Sequence, residues 1–139
     1  MKMRVVLDDN AFEPVRAHAQ DAGLDLRAKE RVKIWPGFSA SIDTGVHIEL
    51  PHGFYGKIES KSGLNVKHDI VSCGGVVDEG YTGSIVVKLY NLGINAHTFE
   101  PGDKVAQLVI QPYIAPDLEY VDELSDTDRG GIGFGSTGK

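Results

Sequence analysis

Asp78 is the residue of this sequence best placed for acid–base chemistry. It stands where the apolar pair Val76-Val77 gives way to the turn Glu79-Gly80, and a carboxylate at such a junction can take a proton from water if it points into a site. Gly74 and Gly75 just before it permit a tight hairpin whose backbone donors and acceptors face outward. Tyr81, amphipathic, could pack under a sugar ring. Taken alone, these residues also describe a solvated turn beside a core tyrosine.

Two further segments suit phosphate. In Ser60-Lys61-Ser62-Gly63-Leu64, Lys61 supplies charge and Ser62 a hydroxyl. Leu64 and His68 have helical spacing, so a short helix with a serine cap is expected, with free N–H groups able to face an anion. An ordinary capped helix beside a solvated lysine has the same residues. The glycine-rich end, Arg129 to Lys139, carries an arginine that can fork onto phosphate, Phe134 that can stack on a base, and Ser136 and Thr137 whose hydroxyls can cradle oxygens. A plain flexible tail fits that composition equally. Asp21 and Asp25 lie four apart across Gly23; such carboxylates can hold Mg²⁺ directly or through its waters, or simply decorate a surface turn.

The elements that must position these residues are short apolar/polar alternations. They run through Val32 and Ile34, Val46 to Leu50, Phe54 to Ile58, Ile70-Val71, Val76-Val77, Ser84 to Tyr90 and Lys104 to Ile110, and read as strands. Breaks at Pro36-Gly37, Pro51-His52-Gly53, Gly74-Gly75, Gly93 and Pro101-Gly102-Asp103 have the spacing of an all-β barrel, sandwich or jelly roll. The apolar pattern fades after Tyr120, so residues 1–122 are expected to form the barrel and 123–139 a flexible arm.

Length and charge narrow the function. The 139 residues suit one domain, and a net charge of -6 argues against a general nucleic-acid binder, which needs clustered Lys and Arg. The histidines show no zinc-ligand spacing. The single cysteine, Cys73, excludes an intrachain disulfide and is expected as a buried thiol. The start has an apolar run too short for a signal peptide, and no stretch is long enough to span a membrane as a helix, so a soluble, cytoplasmic protein is expected.

Read in order, five segments resemble the motif pattern of the trimeric dUTPase family: Ala19 to Ala28, Ser60 to Leu64, Gly75 to Gly83, Gly102 to Val109, and Arg129 to Gly138. The resemblance implies a jelly-roll-like β fold, homotrimeric, with active sites shared between subunits. It implies hydrolysis of dUTP to dUMP and pyrophosphate with Mg²⁺, which limits uracil in DNA and supplies dUMP for dTMP synthesis. On this pattern Asp78 activates water for attack on the α-phosphorus. The hairpin from Ser72 to Asp78 receives uracil through backbone groups, with main-chain contacts from Val76, Val77 and Val86, and Tyr81 excludes a 2′-hydroxyl. Lys61, Ser62, Gly63 and Gln107 hold the phosphates, and Asp25 meets the water shell of Mg²⁺. The arm then closes, with Phe134 over uracil and Arg129, Gly135, Ser136 and Thr137 around the terminal phosphates.

Three departures from that pattern stand out. Lys61 replaces the usual arginine, so a fork becomes a point charge. Ile132 stands where glycine is usual, and Ser72 where asparagine is common. The rival readings are a dCTP deaminase-like enzyme and a regulatory protein that uses nucleotide binding to control a protein partner. The order Gly-Val-Val-Asp-Glu-Gly-Tyr and the phenylalanine-bearing arm favour hydrolysis of dUTP.

Overall fold

The alternation in the sequence becomes eleven strands and one short helix in a computed structural model, which describes residues 1–138. The strands are β1 (Arg4–Leu7), β2 (Gly23–Arg27), β3 (Val32–Ile34), β4 (Ser39–Asp43), β5 (Val46–Glu49) and β6 (Phe54–Glu59). After the helix α1 (Ser62–His68) come β7 (Ile70–Ser72), β8 (Val76–Val77), β9 (Val86–Asn91), β10 (His97–Phe99) and β11 (Lys104–Pro112). Four antiparallel sheets result, ordered β2-β11-β6-β8, β4-β9-β7, β1-β5 and β10-β3. The all-β fold expected from the sequence is therefore the observed one.

Period-two burial explains the packing. In β9, Val87, Leu89 and Asn91 point inward while Val86 and Tyr90 face out, as a strand with one buried face requires. Leu26, Ile42, Leu89, Phe99, Val105 and Leu108 form the centre of one continuous apolar core. Asn91 is buried among them because all its polar atoms are used. Its Nδ2 donates to the Ile34 and Asn95 carbonyls at 2.9 and 2.8 Å, and its Oδ1 accepts from Gly93 N–H at 3.0 Å. That satisfaction removes the penalty of an unpaired buried amide.

Strand β11 departs from strict alternation. A bulge between Lys104 and Ala106 buries the consecutive residues Val105 and Ala106, because the extra residue lets two successive side chains turn inward. Beyond it, Gln107 pairs with Asp25 on one side and Glu59 on the other, which places these three residues side by side across the sheet.

Several expectations need correction. Cys73 is exposed; it follows the end of β7 in the loop to Gly74 and Gly75, whose φ values are +82° and +113°, and that loop turns outward. The Asp21–Leu26 segment is not a surface turn throughout: Gly23 to Arg27 form β2, with Asp25 only 4% exposed. The expected serine cap of α1 is absent. Lys61 occupies the cap position without a side-chain hydrogen bond, and the Ser60 hydroxyl instead accepts from Ser72 N–H at 2.8 Å. Regular structure ends at Pro112, and residues 113–138 form no strand or helix. No helix among the described residues is long and apolar enough to cross a membrane.

Candidate active site

The Asp78 cleft is built on the edge of a sheet. Strand β8 pairs with β6, Val77 opposite Gly56 and Val76 opposite Lys57, and lies at the end of its four-stranded sheet. An edge strand directs one row of backbone N–H and C=O groups away from the ladder, which suits recognition of a flat polar ring. Gly75 makes the approach possible. Its carbonyl accepts from Ile58 N–H at 2.8 Å, and a Cβ there would sit 2.6 Å from Ile58 Cβ.

Ile58, Gly75, Val76, Val77, Asp78, Tyr81, Ile85 and Val86 line the resulting cleft of about 240 Å³. The turn that carries Asp78 is closed by Tyr81 N–H donating to the Asp78 carbonyl at 3.0 Å. The Tyr81 hydroxyl donates to the Ser84 carbonyl at 2.9 Å, so the ring is held over Gly83, where any Cβ would strike it. Five sequence-selected residues thus converge on one cleft: Val76, Val77, Asp78, Tyr81 and Val86.

A second cluster centres on Asp25. Lys61 Nζ lies 2.5 Å from Asp25 Oδ1, and Lys104 Nζ lies 2.8 Å from Oδ2. Burial pushes the Asp25 carboxyl up, but the hydrogen bonds and charges of Lys104 and Lys61 outweigh it and hold the group below the usual carboxylate range. Gln107 joins the cluster by donating from Nε2 to the Ser60 carbonyl at 3.1 Å. Ser62 and Gly63 are exposed in the first turn of α1, beside Lys61. Lys104 escaped sequence reasoning because the bulge that aims it is invisible in an alternation pattern; its place three residues before Gln107 was the available signal.

The arm forms a third group. Arg129, Gly133, Phe134, Gly135, Ser136 and Thr137 surround a shallow hollow of their own, and Phe134 is fully exposed. Arg129 donates from Nε to the Ile132 carbonyl at 2.8 Å and from Nη2 to that of Gly133 at 3.2 Å. None of these residues lines the Asp78 cleft of the same chain. Ser72 is also absent from that lining; it lies half-buried in β7, paired with Leu89.

No three His, Cys, Asp or Glu side chains converge as a metal cage among the described residues. Each oxygen of Asp25 already meets an ammonium. This donor set fits a divalent cation carried by a polyphosphate, which needs few protein ligands, rather than one caged by the chain.

An edge-strand cleft with a carboxylate, a separate pair of lysines on one buried aspartate and a glycine-rich arm together make the constellation of a nucleotide-hydrolysing β protein. The dUTPase family model matches residues 9–138, and the chain belongs to that family. A deoxyuridine 5'-triphosphate nucleotidohydrolase of Gloeothece citriformis is 48% identical over 141 residues, covering 99% of this chain and 97% of the relative. Among solved structures, a variant dUTPase of the 80alpha phage superposes with a TM-score of 0.91 at 31% identity, covering 97% and 98% of the two chains. A variant dUTPase from phage phi11 of S. aureus, in which a structural Mg(II) ion is coordinated, gives 0.84 at 30% identity over 88% and 98%.

Proposed function

We propose that this chain, a dUTP nucleotidohydrolase, uses Asp78 to deprotonate a water that attacks the α-phosphorus of dUTP. The bond from that phosphorus to the α,β-bridging oxygen breaks, pyrophosphate leaves, and dUMP remains. The observation that carries this reading is the convergence of Asp78 with the β8 edge, Tyr81 and Val86 on one cleft. Backbone groups of Val76 and Val77 would pair with uracil, and the Tyr81 ring would pack on the deoxyribose and leave no room for a 2′-hydroxyl.

Lys61, Ser62, Gly63 and Gln107 would hold the phosphates. Lys61 can exchange Asp25 for phosphate because Lys104 remains on the same carboxylate. Mg²⁺ arriving with the triphosphate would supply charge neutralisation, and Asp25, its Oδ1 released by Lys61, would contact the water shell. Positioning and preorganised charge are the main sources of rate in such displacements.

A homotrimer accounts for the separation of the three clusters. One chain does not bring its own arm to its own cleft, and it exposes Val6, Trp35, Phe38, Leu118, Tyr120 and Leu124, side chains that subunit contacts would cover. In the trimer a neighbour's arm would close over the cleft, placing Phe134 on the base and Arg129, Gly135, Ser136 and Thr137 on the phosphates. Ser72 then contributes by fixing the hairpin through Ser60 rather than by touching the base. The enzyme would act in the cytoplasm on the free nucleotide pool.

The direct test of the base is Asp78→Asn, which keeps the shape of the side chain but cannot accept the proton. Turnover should fall by about 10²- to 10⁴-fold with dUTP still bound. Near-native turnover would remove Asp78 as the base.

A further inference from the structure

The Asp78 turn is fastened from behind by residues that no part of the proposed chemistry uses. Glu79, next in sequence to Asp78, turns away from the cleft, and its two carboxylate oxygens meet different segments. Oε2 accepts the Tyr113 hydroxyl proton, and Oε1 lies 2.7 Å from His52 Nδ1. His52 sits in the turn between β5 and β6, and Tyr113 is the first residue after β11, where the C-terminal segment leaves the barrel.

Those two anchors are themselves joined. Tyr113 N–H donates to the Gly53 carbonyl at 3.0 Å, and the Tyr113 ring stands edge-on to Tyr55 with centroids 6.5 Å apart. Tyr55 in turn donates to Gln111 Oε1 at 2.8 Å. The anchorage is therefore part of the β6–β11 sheet and not a loose surface contact. A hollow lined by Tyr55, Val76, Asp78, Glu79, Gly80 and Tyr113 lies behind the turn, so packing alone does not fill the space at its back.

We propose that Glu79 and Tyr113 form a positioning clamp that holds the Asp78 turn against the C-terminal end of β11. The inference rests on the reading of Asp78 as the base. Tyr113 is the stronger partner, since the His52 side chain is 98% exposed and exposed ion pairs contribute little. The Tyr113 hydroxyl and then His52 hold the Glu79 carboxyl below the usual range, so the clamp keeps its charge at neutral pH. Its function is geometric: a water attacking phosphorus in line tolerates little displacement of the group that orients it.

The experiment compares the full-length enzyme with Tyr113→Phe, Glu79→Ala, Glu79→Gln and the Glu79→Ala/Tyr113→Phe double variant. It measures kcat and KM for dUTP and the thermal midpoint, with Asp78→Asn alongside. Tyr113→Phe keeps the ring against Tyr55 and loses only the hydroxyl, so kcat should fall by about 5- to 20-fold with KM within about twofold. Glu79→Gln still accepts the phenolic proton and should recover most of the loss seen in Glu79→Ala, and the double variant should be no slower than Glu79→Ala. Native kcat in Tyr113→Phe, or losses that multiply in the double variant, would overturn the clamp even if Asp78→Asn is inactive. Near-native turnover by Asp78→Asn would overturn the base assignment first, and the clamp with it.

Discussion

Lys104 Nζ lies 2.8 Å from Asp25 Oδ2, while Lys61 takes the other oxygen of the same buried carboxylate. Two cations on one anion leave a net positive charge at this cluster. The arrangement also ties β2, β11 and the segment ahead of α1 together through one residue.

Asp25→Asn would leave both ammoniums without a counter-charge. Breaking a fully buried pair costs about 3–5 kcal/mol; because Lys104 is 40% exposed, about 2 kcal/mol is expected here after solvent screening. The Asp25 pKa is lower folded than unfolded, so its stabilisation is complete above the ordinary carboxylate value of about 3.9 and is lost as pH falls through the lower folded value. Urea midpoints of the native and variant proteins should therefore differ at pH 7 and converge on acidification. A gap that persists unchanged into acid would contradict the ion-pair origin.

Gly75→Ala should damage both stability and activity. Its φ of +113° disfavours a side chain, and the new methyl would meet Ile58 Cβ at 2.6 Å. Strain of this kind costs about 1–3 kcal/mol, and relief would shift the β8 edge away from the base. Gly74→Ala is the control, with φ +82° but nothing within 4 Å of the added atom. Denaturant unfolding should rank Gly75→Ala as the more destabilised; the reverse order would show that the close approach to Ile58 is not what fixes the hairpin.

The Asp78 cleft was legible in the sequence because its parts are consecutive: a glycine pair, two strand residues, a carboxylate and a tyrosine within eight positions. The Asp25 cluster was only half legible. Asp25 and Gln107 could be named, but their adjacency depends on the β2–β11 register, and Lys104 depends on a bulge. Glu79 met its partners through contacts 27 and 34 residues distant in sequence, which no local pattern reports. Strands β1, β4 and β10 gave weak signals for a related reason. Strands β4 and β10 carry one large apolar side chain each, Ile42 and Phe99, and β1 is exposed along its whole length, so little alternation or burial marks them.

Deletion of 129–139 should leave the assembly intact, because the described part of that segment, 129–138, is exposed and makes no strand or helix. Turnover of dUTP should fall on the order of 10²-fold, because in the proposed closure the arm excludes water and completes the phosphate site. Sedimentation should give the same assembly before and after truncation, the proposed trimer. Dissociation into monomers would place these residues in the subunit interface instead.

Pyrophosphate release from dUTP, dTTP, dCTP and UTP with Mg²⁺, with native enzyme and Asp78→Asn side by side, tests specificity for dUTP most directly. The proposed reading, in which the β8 edge selects the base, Tyr81 the sugar and Asp78 activates water, predicts hydrolysis confined to dUTP and lost in the variant. Comparable release from dTTP or UTP, or ammonia from dCTP in place of pyrophosphate from dUTP, would contradict it.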